Sequence, residues 1–327
     1  MTINNHNPKL VSVIVPAFNA ADFIKETLVS VLNQSYENIE LIVVDDGSND
    51  NTRAIVESFG NKVQYIYQAN SGGCSSPRNN GFRHSRGDFL HFFDADDLML
   101  PNNIQEKVAY LLSHPDAGMA CSDYSNFRVV AGKMELTPSH FSTCPILMSK
   151  LQTMPSGASL CLTGNEASEI ILQENYTISG SIMFPRYVFE NVGTYDENLT
   201  SSEDFDIHYR TLLRYNCGII NSTGFYRRLH DSNMTGNPLK MYNNGIRSAE
   251  KLLSLEASPK KRRLLQQRII TRLFGLSRLY RGANSFLSLR YSLRSLIYIQ
   301  AFDRKNWSHF FRNTIAALIA HDLPREK

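Results

Sequence analysis

Asp94, Asp96 and Asp97 crowd three carboxylates into four positions, directly after the apolar run 89–93. Like charges that close together raise one another's pKa when buried, unless a cation relieves them. Hard oxygen ligands on a loop suit Mg²⁺ or Mn²⁺, which can hold a diphosphate and neutralise its charge as it departs. The same string can instead be a solvated turn capping the helix after Pro101, because D-x-D strings often arise by chance.

Other groups carry chemistry of their own. A carboxylate after a strand can accept hydrogen bonds from a base or ribose, which suits Asp45 and Asp46 of Asp45-Asp46-Gly47-Ser48. That string also reads as an ordinary turn. Between Ser71-Gly72-Gly73 and Arg78-Asn79 the glycines permit close backbone approach, and Arg78 can pair with phosphate or with the acidic cluster. Glu203-Asp204 could supply a general base for an acceptor hydroxyl, or could simply complement a helix dipole. His230, after Tyr226-Arg227-Arg228-Leu229, is either a structural histidine or a ligand for metal or phosphate.

Regular elements must position these groups. Residues 10–15 form a β-branched run stopped by Pro16, and 39–44 and 63–67 repeat the strand signature. Between the first two, Ile24, Leu28, Val31 and Leu32 lie on one helical face. Helices are also expected near 51–59, from Ile104 to Leu112 and over 203–214, with strands at 89–93 and 179–184. The weakly patterned stretch 131–176 reads as loops and short helices. Alternating strands and helices predict an α/β fold with a mainly parallel sheet covered on both faces. The polar loops 16–19, 45–48 and 94–97 all follow strands and should meet at one cleft.

The 327 residues are 42% apolar and 20% charged, enough for one large α/β domain and an appendage. From Pro259 onward lie 15 of the 34 Lys and Arg but only 3 of the 31 Asp and Glu, so that segment carries +12 and the rest −9. A basic tail on an acidic body implies an anionic partner for the tail. The runs 10–18 and 315–320 fit neither an export signal nor a membrane span. Five unpatterned cysteines then read as reduced thiols in the cytoplasm.

Taken in order, Pro16-Ala17-Phe18-Asn19, Asp45-Asp46-Gly47-Ser48, Gly73 to Arg78-Asn79, Asp94-Ala95-Asp96-Asp97 and Glu203-Asp204 resemble the family 2 glycosyltransferases. The resemblance covers about residues 9–235. It implies the GT-A (Rossmann-like) fold with a helical C-terminal appendage. The catalytic domain would span 9–238, its nucleotide half about 9–115 and its acceptor-side half about 116–238, followed by a basic helical region at 239–327.

By that resemblance Pro16, Ala17, Phe18, Asn19, Asp45, Asp46, Gly73, Arg78, Asp94 and Ala95 border the nucleotide. Asp94 and Asp96 form the D-x-D pair on Mn²⁺ or Mg²⁺, with Asp96 the more direct ligand and His230 near the metal or diphosphate. Asp204 is the catalytic base, supported by Glu203, and Ser179-Gly180-Ser181 belongs to the acceptor-side strand. The chain departs from the family with Phe205 where Trp is common and Pro77 where Ala is common; neither change removes a needed charge.

The implied reaction is a single displacement with inversion, moving sugar from a nucleoside diphosphate donor, UDP by family preference, to a hydroxyl of a glycan or lipid-linked saccharide. A non-catalytic nucleotide-sugar binder and a sugar nucleotidyltransferase are the alternatives. The retained Asp94, Asp96 and Asp204 weigh against the first, and the second lacks a Gly-rich, Arg-containing loop after the first strand. Nucleic acid is not an expected partner, since no motif accompanies the basic tail. Residues 260–294 interleave arginines and lysines with Leu264, Leu265, Ile269, Ile270, Leu273 and Phe274. That pattern suits either a helix packed on the body or an interfacial helix on the inner membrane face.

Overall fold

The computed structural model describes residues 8–231, 233, 236–281, 283–299 and 304–322. Contacts divide the chain into two compact units, Met1–Asn198 with Glu203–Asn233, and Leu199–Ser202 with Met234–Lys327.

The first unit holds ten strands: β1 Val11–Ala17, β2 Ile39–Asp46, β3 Gln64–Gln68, β4 Phe89–Phe92, β5 Leu98–Met99, β6 Ala117–Val130, β7 Lys133–Ser139, β8 Ser159–Leu162, β9 Ile182–Pro185 and β10 Asn216–Arg228. They make one sheet in the order β3-β2-β1-β4-β9-β6-β10-β5, with β7 on β6 and β8 on β10. The β3-β2-β1-β4 half is parallel throughout, as is the β6–β10 pair. β9 enters antiparallel between β4 and β6, and the short or marginal strands β5, β7 and β8 are also antiparallel.

β1 is buried from end to end, which requires cover on both faces. Val11, Val13 and Val15 join Ile24, Leu28 and Val31 of the helix Ile24–Leu32 in one core. Ile14 points the other way, because successive strand residues alternate, and meets Gly81 of the helix Ser75–His84. The strands expected at 10–15, 39–44, 63–67 and 89–93 correspond to β1, β2, β3 and β4, with Leu10, Val63 and Phe93 just outside them, and the expected helices stand at Ile24–Leu32, Thr52–Glu57, Asn103–Ser113 and Glu203–Leu212. Ser179–Ser181 is a 3₁₀ turn rather than the start of a strand, since the Ser181 hydroxyl folds back on the Ile178 carbonyl (2.7 Å) and its oxygen accepts the Ile178 N–H (3.0 Å). The stretch 131–176 contains helices Pro145–Leu151 and Gly164–Gln173, and also the strands β7 and β8.

The second unit is helical: Pro238–Leu255, Pro259–Tyr280, Ser285–Arg294 and Arg304–Asp322. Leu265, Ile269, Ile270, Leu273 and Phe274 are buried, and Leu264 is half-buried. These apolar residues of the helix Pro259–Tyr280 therefore pack inside, whereas Leu279 near its end is exposed. Residues 323–327 of the basic region lie outside the described residues.

Candidate active site

β1 and β2 end side by side, so the loops that follow them meet. The Asn19 N–H donates to Ser48 Oγ (2.8 Å), and Asn49 N–H donates to Asn19 Oδ1 (2.9 Å). Asn19 adopts φ 48°, a left-handed conformation that Asn tolerates better than most residues. Pro16 and Ala17 are buried in the last turn of β1, whereas the Phe18 ring is half exposed beside them.

Asp45 and Asp46 close β2. Asp45 accepts from the Tyr65 hydroxyl (2.7 Å) and the Ser48 N–H (2.8 Å). Asp46 accepts from Gln68 Nε2 (2.6 Å) and from the Ser71 hydroxyl (2.9 Å) and N–H (3.1 Å). The Gly73 carbonyl accepts from the same Ser71 hydroxyl (3.1 Å) just before the helix Ser75–His84. That helix aims Arg78 under the sheet's carboxyl end.

Arg78 is the organising group. Its guanidinium donates to Asp94 Oδ1 (2.7 Å) and to Glu203 Oε1 (2.5 Å), and lies 5.3 Å from the Tyr195 ring centre. Burial works against the charge on Arg78, but Asp94 and Glu203 outweigh it and hold the guanidinium firmly protonated. The Arg78–Glu203 bond spans 125 positions of sequence, joining the helix Ser75–His84 to the helix Glu203–Leu212. Glu203 is buried, and its Oε2 has no hydrogen-bond partner among the described residues.

Asp204, next in that helix, is half-buried and accepts the Phe205 N–H (2.7 Å). Burial raises its pKa to about 7, the Glu203 charge adds to the rise, and Arg78 opposes it. A carboxyl group poised near neutrality is suited to accept a proton.

Asp96 faces the other side of the turn from Asp94. Its Oδ2 lies 2.8 Å from His230 Nε2 and 3.2 Å from Asn233 Nδ2. Burial and the Asp94 charge raise the Asp96 pKa, while the hydrogen bond from His230 lowers it. Asp97 is buried, and burial with the charges of Asp96 and Asp94 pushes it further up. Asp97 accepts the Arg228 N–H (2.9 Å), and the Arg228 side chain donates to the Asp96 carbonyl (2.8 Å) and Glu26 (2.6 Å). A buried, bonded Asp97 rules out a solvated acidic turn. Ala95 is buried, and its carbonyl accepts from Thr27 (2.9 Å).

The structure gathers the candidate residues into two clusters: a polar network at 16–19, 45–48 and 71–73, and a charged network of Arg78, Asp94, Glu203 and Asp204, with Asp96 and His230 beside it. Among the described residues no group of three His, Cys, Asp or Glu side chains stands ready-made around a metal position. Asp94 and Asp96 still offer hard oxygens, and their mutual repulsion with Asp97 is the imbalance a divalent cation relieves. Tyr195, Asn233 and Glu26 were missed from sequence. Tyr195 belongs to no motif, and only the fold brings it under Arg78.

Residues 12–159 match the family model described as Glycosyl transferase family 2. Over those residues the chain carries a family 2 glycosyltransferase domain. An uncharacterized glycosyltransferase of Rickettsia typhi is 29% identical over 73% of this chain and 70% of its own length. A beta-1,3-glucosyltransferase of Escherichia coli, WfgD, described as acting from UDP-Glc on alpha-D-GlcNAc-diphosphoundecaprenol, is 32% identical over 37% of this chain and 47% of its own. The crystal structure of S. aureus TarS residues 1–349 in complex with UDP-GlcNAc superposes with TM-score 0.67 and 20% identity, covering 95% of this chain and 89% of that one. The fold is GT-A with a helical C-terminal part, and the protein is a glycosyltransferase. Enzymes of this fold commonly hold a divalent metal. Among the described residues no helix is long and apolar enough to cross a membrane.

Proposed function

We propose that this glycosyltransferase moves a sugar from a UDP-sugar to a hydroxyl of a glycan or lipid-linked saccharide, inverting the anomeric centre, in polysaccharide or cell-envelope synthesis. One observation carries the reading. A buried guanidinium ties Asp94, on the donor side, to Glu203, and the next residue, Asp204, titrates near 7. Donor charge and acceptor proton are thus handled by two ends of one network.

The exposed Phe18 ring and Asn19 offer a wall for the base, with Pro16 and Ala17 behind them. Asp46, with Asp45 beside it, would exchange its bonds to Ser71 and Gln68 for bonds to ribose or base. Gly73 allows the backbone to approach the diphosphate, while Arg78, Asp94 and Ala95 border it. Asp94, Asp96 and His230 would hold Mg²⁺ or Mn²⁺, which when bound supplies electrostatic stabilisation of the departing diphosphate. Asp204 takes the proton from the acceptor hydroxyl as that oxygen attacks the anomeric carbon, and Glu203 keeps the carboxyl basic enough to do so.

The catalytic domain is assigned to residues 9–238, with the nucleotide on about 9–115 and the acceptor on about 116–238. A lipid-linked acceptor, as named for the Escherichia coli relative, would bring the chain to the cytoplasmic face of a membrane. The basic helical region at 239–327, which carries the excess of lysine and arginine, makes the contact there.

The test is binding and slow hydrolysis of UDP-, GDP- and dTDP-sugars with Mn²⁺, Mg²⁺ or EDTA. Metal-dependent turnover of a UDP-sugar, lost in Asp96→Ala, is the expected result. Folded protein that binds no donor would overturn the reading in favour of a non-catalytic role.

A further inference from the structure

The helix Ser285–Arg294 and the turn Ser295–Ile297 present their residues the wrong way round for a helix that only packs on its neighbours in water. Ser288, Ser292 and Ser295 are completely buried. Their hydroxyls are satisfied inside the unit: Ser288 donates to the Ser277 carbonyl (2.8 Å), Ser292 meets Thr314 Oγ1 (3.0 Å), and Ser295 donates to the Ser292 carbonyl (2.6 Å). Four large apolar side chains are exposed instead, while Leu287, Leu289 and Tyr291 are half-buried. Phe286 is 68% exposed, Leu293 46%, Leu296 37% and Ile297 74%. Phe286, exposed Arg290, Leu293 and Ile297 follow i, i+4, i+7, i+11, a single stripe along the outer side.

We infer that this stripe docks on an anionic lipid surface, with Phe286, Leu293 and Ile297 entering the headgroup boundary and Arg290 meeting the lipid phosphates. The inference rests on the membrane contact proposed above and names the face that makes it. It also moves the contact off the helix Pro259–Tyr280, where Leu265, Ile269, Ile270, Leu273 and Phe274 are buried. Charge selects the occupant. The segment from Pro259 onward carries +12, so a second copy would set this cationic surface against itself. A nucleic acid would answer the charge but leave the apolar stripe in water. An anionic bilayer answers both, apolar area for its acyl boundary and arginine for its surface potential. Arg294 is held by Glu250 (2.6 Å), which leaves Arg290 as the arginine of the stripe.

The experiment uses the full chain with vesicles of phosphatidylcholine alone and of phosphatidylcholine mixed with phosphatidylglycerol. Wild type should sediment with the anionic vesicles. The Phe286→Ser/Leu293→Ser/Ile297→Ser variant should bind them at least about tenfold more weakly, because the lost apolar contacts drive insertion. Arg290→Gln should reduce the preference for phosphatidylglycerol. All four positions are exposed, so UDP-sugar hydrolysis should persist in both variants and report that they are folded. Equal vesicle binding by wild type and triple variant overturns the assignment of this face. If wild type binds neither vesicle, the membrane contact fails as well, while donor hydrolysis still judges the transferase reading separately. A wild-type dimer that the triple variant dissolves, without vesicle binding, would give the stripe to a second copy and overturn the proposal.

Discussion

A carboxyl group with a pKa of about 7 accepts a proton far more readily than an ordinary aspartate, and Asp204 owes this to burial and to Glu203. Below about 7 Asp204 is protonated and cannot act as a base. Transfer to acceptor should therefore rise with pH through a single ionisation near 7 and level off above it. The profile of kcat/KM tests this directly, and a flat line between about pH 5.5 and 8.5 would remove Asp204 from the role. Glu203→Gln deletes the charge that raises Asp204, so the limb should move to lower pH. An unmoved limb would mean that another group titrates. Asp204→Asn should cost roughly 10²–10⁴-fold in transfer while donor binding survives, measurable by comparing turnover with UDP-sugar titration. Arg78 is different in kind, because it neutralises two carboxylates at once. Arg78→Met would leave the buried Glu203 unpaired, and such losses cost about 3–5 kcal/mol. Denaturant unfolding of the variant would show it.

One short helix, Ser75–His84, sets the distance between the two networks. It can lie close to β1 and β2 because Gly81 has no side chain: a Cβ there would collide with Ile14 Cγ2 and sit 3.3 Å from Val44 Cγ2. Gly81→Val should lift the helix, destabilise the protein by about 1–3 kcal/mol, and displace Arg78 enough to lower kcat. Thermal unfolding with a donor-hydrolysis assay separates the two effects, and wild-type values in both would show that the contact is dispensable. β1 and β2 were legible in sequence because each is rich in β-branched residues and ends in a polar loop. β6 and β10 were not. Their centres carry Ser122, Asp123, Asn221 and Ser222, which break any apolar pattern, yet partners across the fold accommodate them. Ser122 donates to Asn103 (3.3 Å), and Asp123 accepts the Phe141 N–H (2.9 Å). The site was legible where motif residues follow strands directly. The pairing of Arg78 with Glu203 was not, because local spacing holds no record of a contact across 125 positions.

At the scale of the molecule, pH acts on stability through buried histidines as well as through the carboxylates of the site. His208 is fully buried, with Nδ1 on the Thr177 hydroxyl (2.9 Å), and burial followed by the Arg78 charge lowers its pKa to about 3. His91 is also fully buried, with Nδ1 on the Ile182 carbonyl (2.8 Å), and burial sends its pKa well below the usual value. In the unfolded chain both titrate near 6.5, so below that pH the unfolded state binds protons that the native state refuses. Stability from each histidine is complete above about pH 6.5. It is lost on acidification towards the folded pKa, at up to about 1.4 kcal/mol per pH unit. Asp96, Asp97 and Asp204 have the opposite sign. Their raised pKa values make the native state the stronger proton binder on acidification, for Asp204 from about 7 downwards, which masks part of the histidine effect. The two contributions separate in a His208→Gln variant, which keeps the carboxylates and removes one titrating ring. Wild type should lose stability relative to His208→Gln by about 1.4 kcal/mol for each unit below 6.5. Circular dichroism in urea at several pH values would follow this unfolding. Parallel stability curves for the two proteins would mean that His208 takes up its proton in the native state and that its burial carries no such penalty.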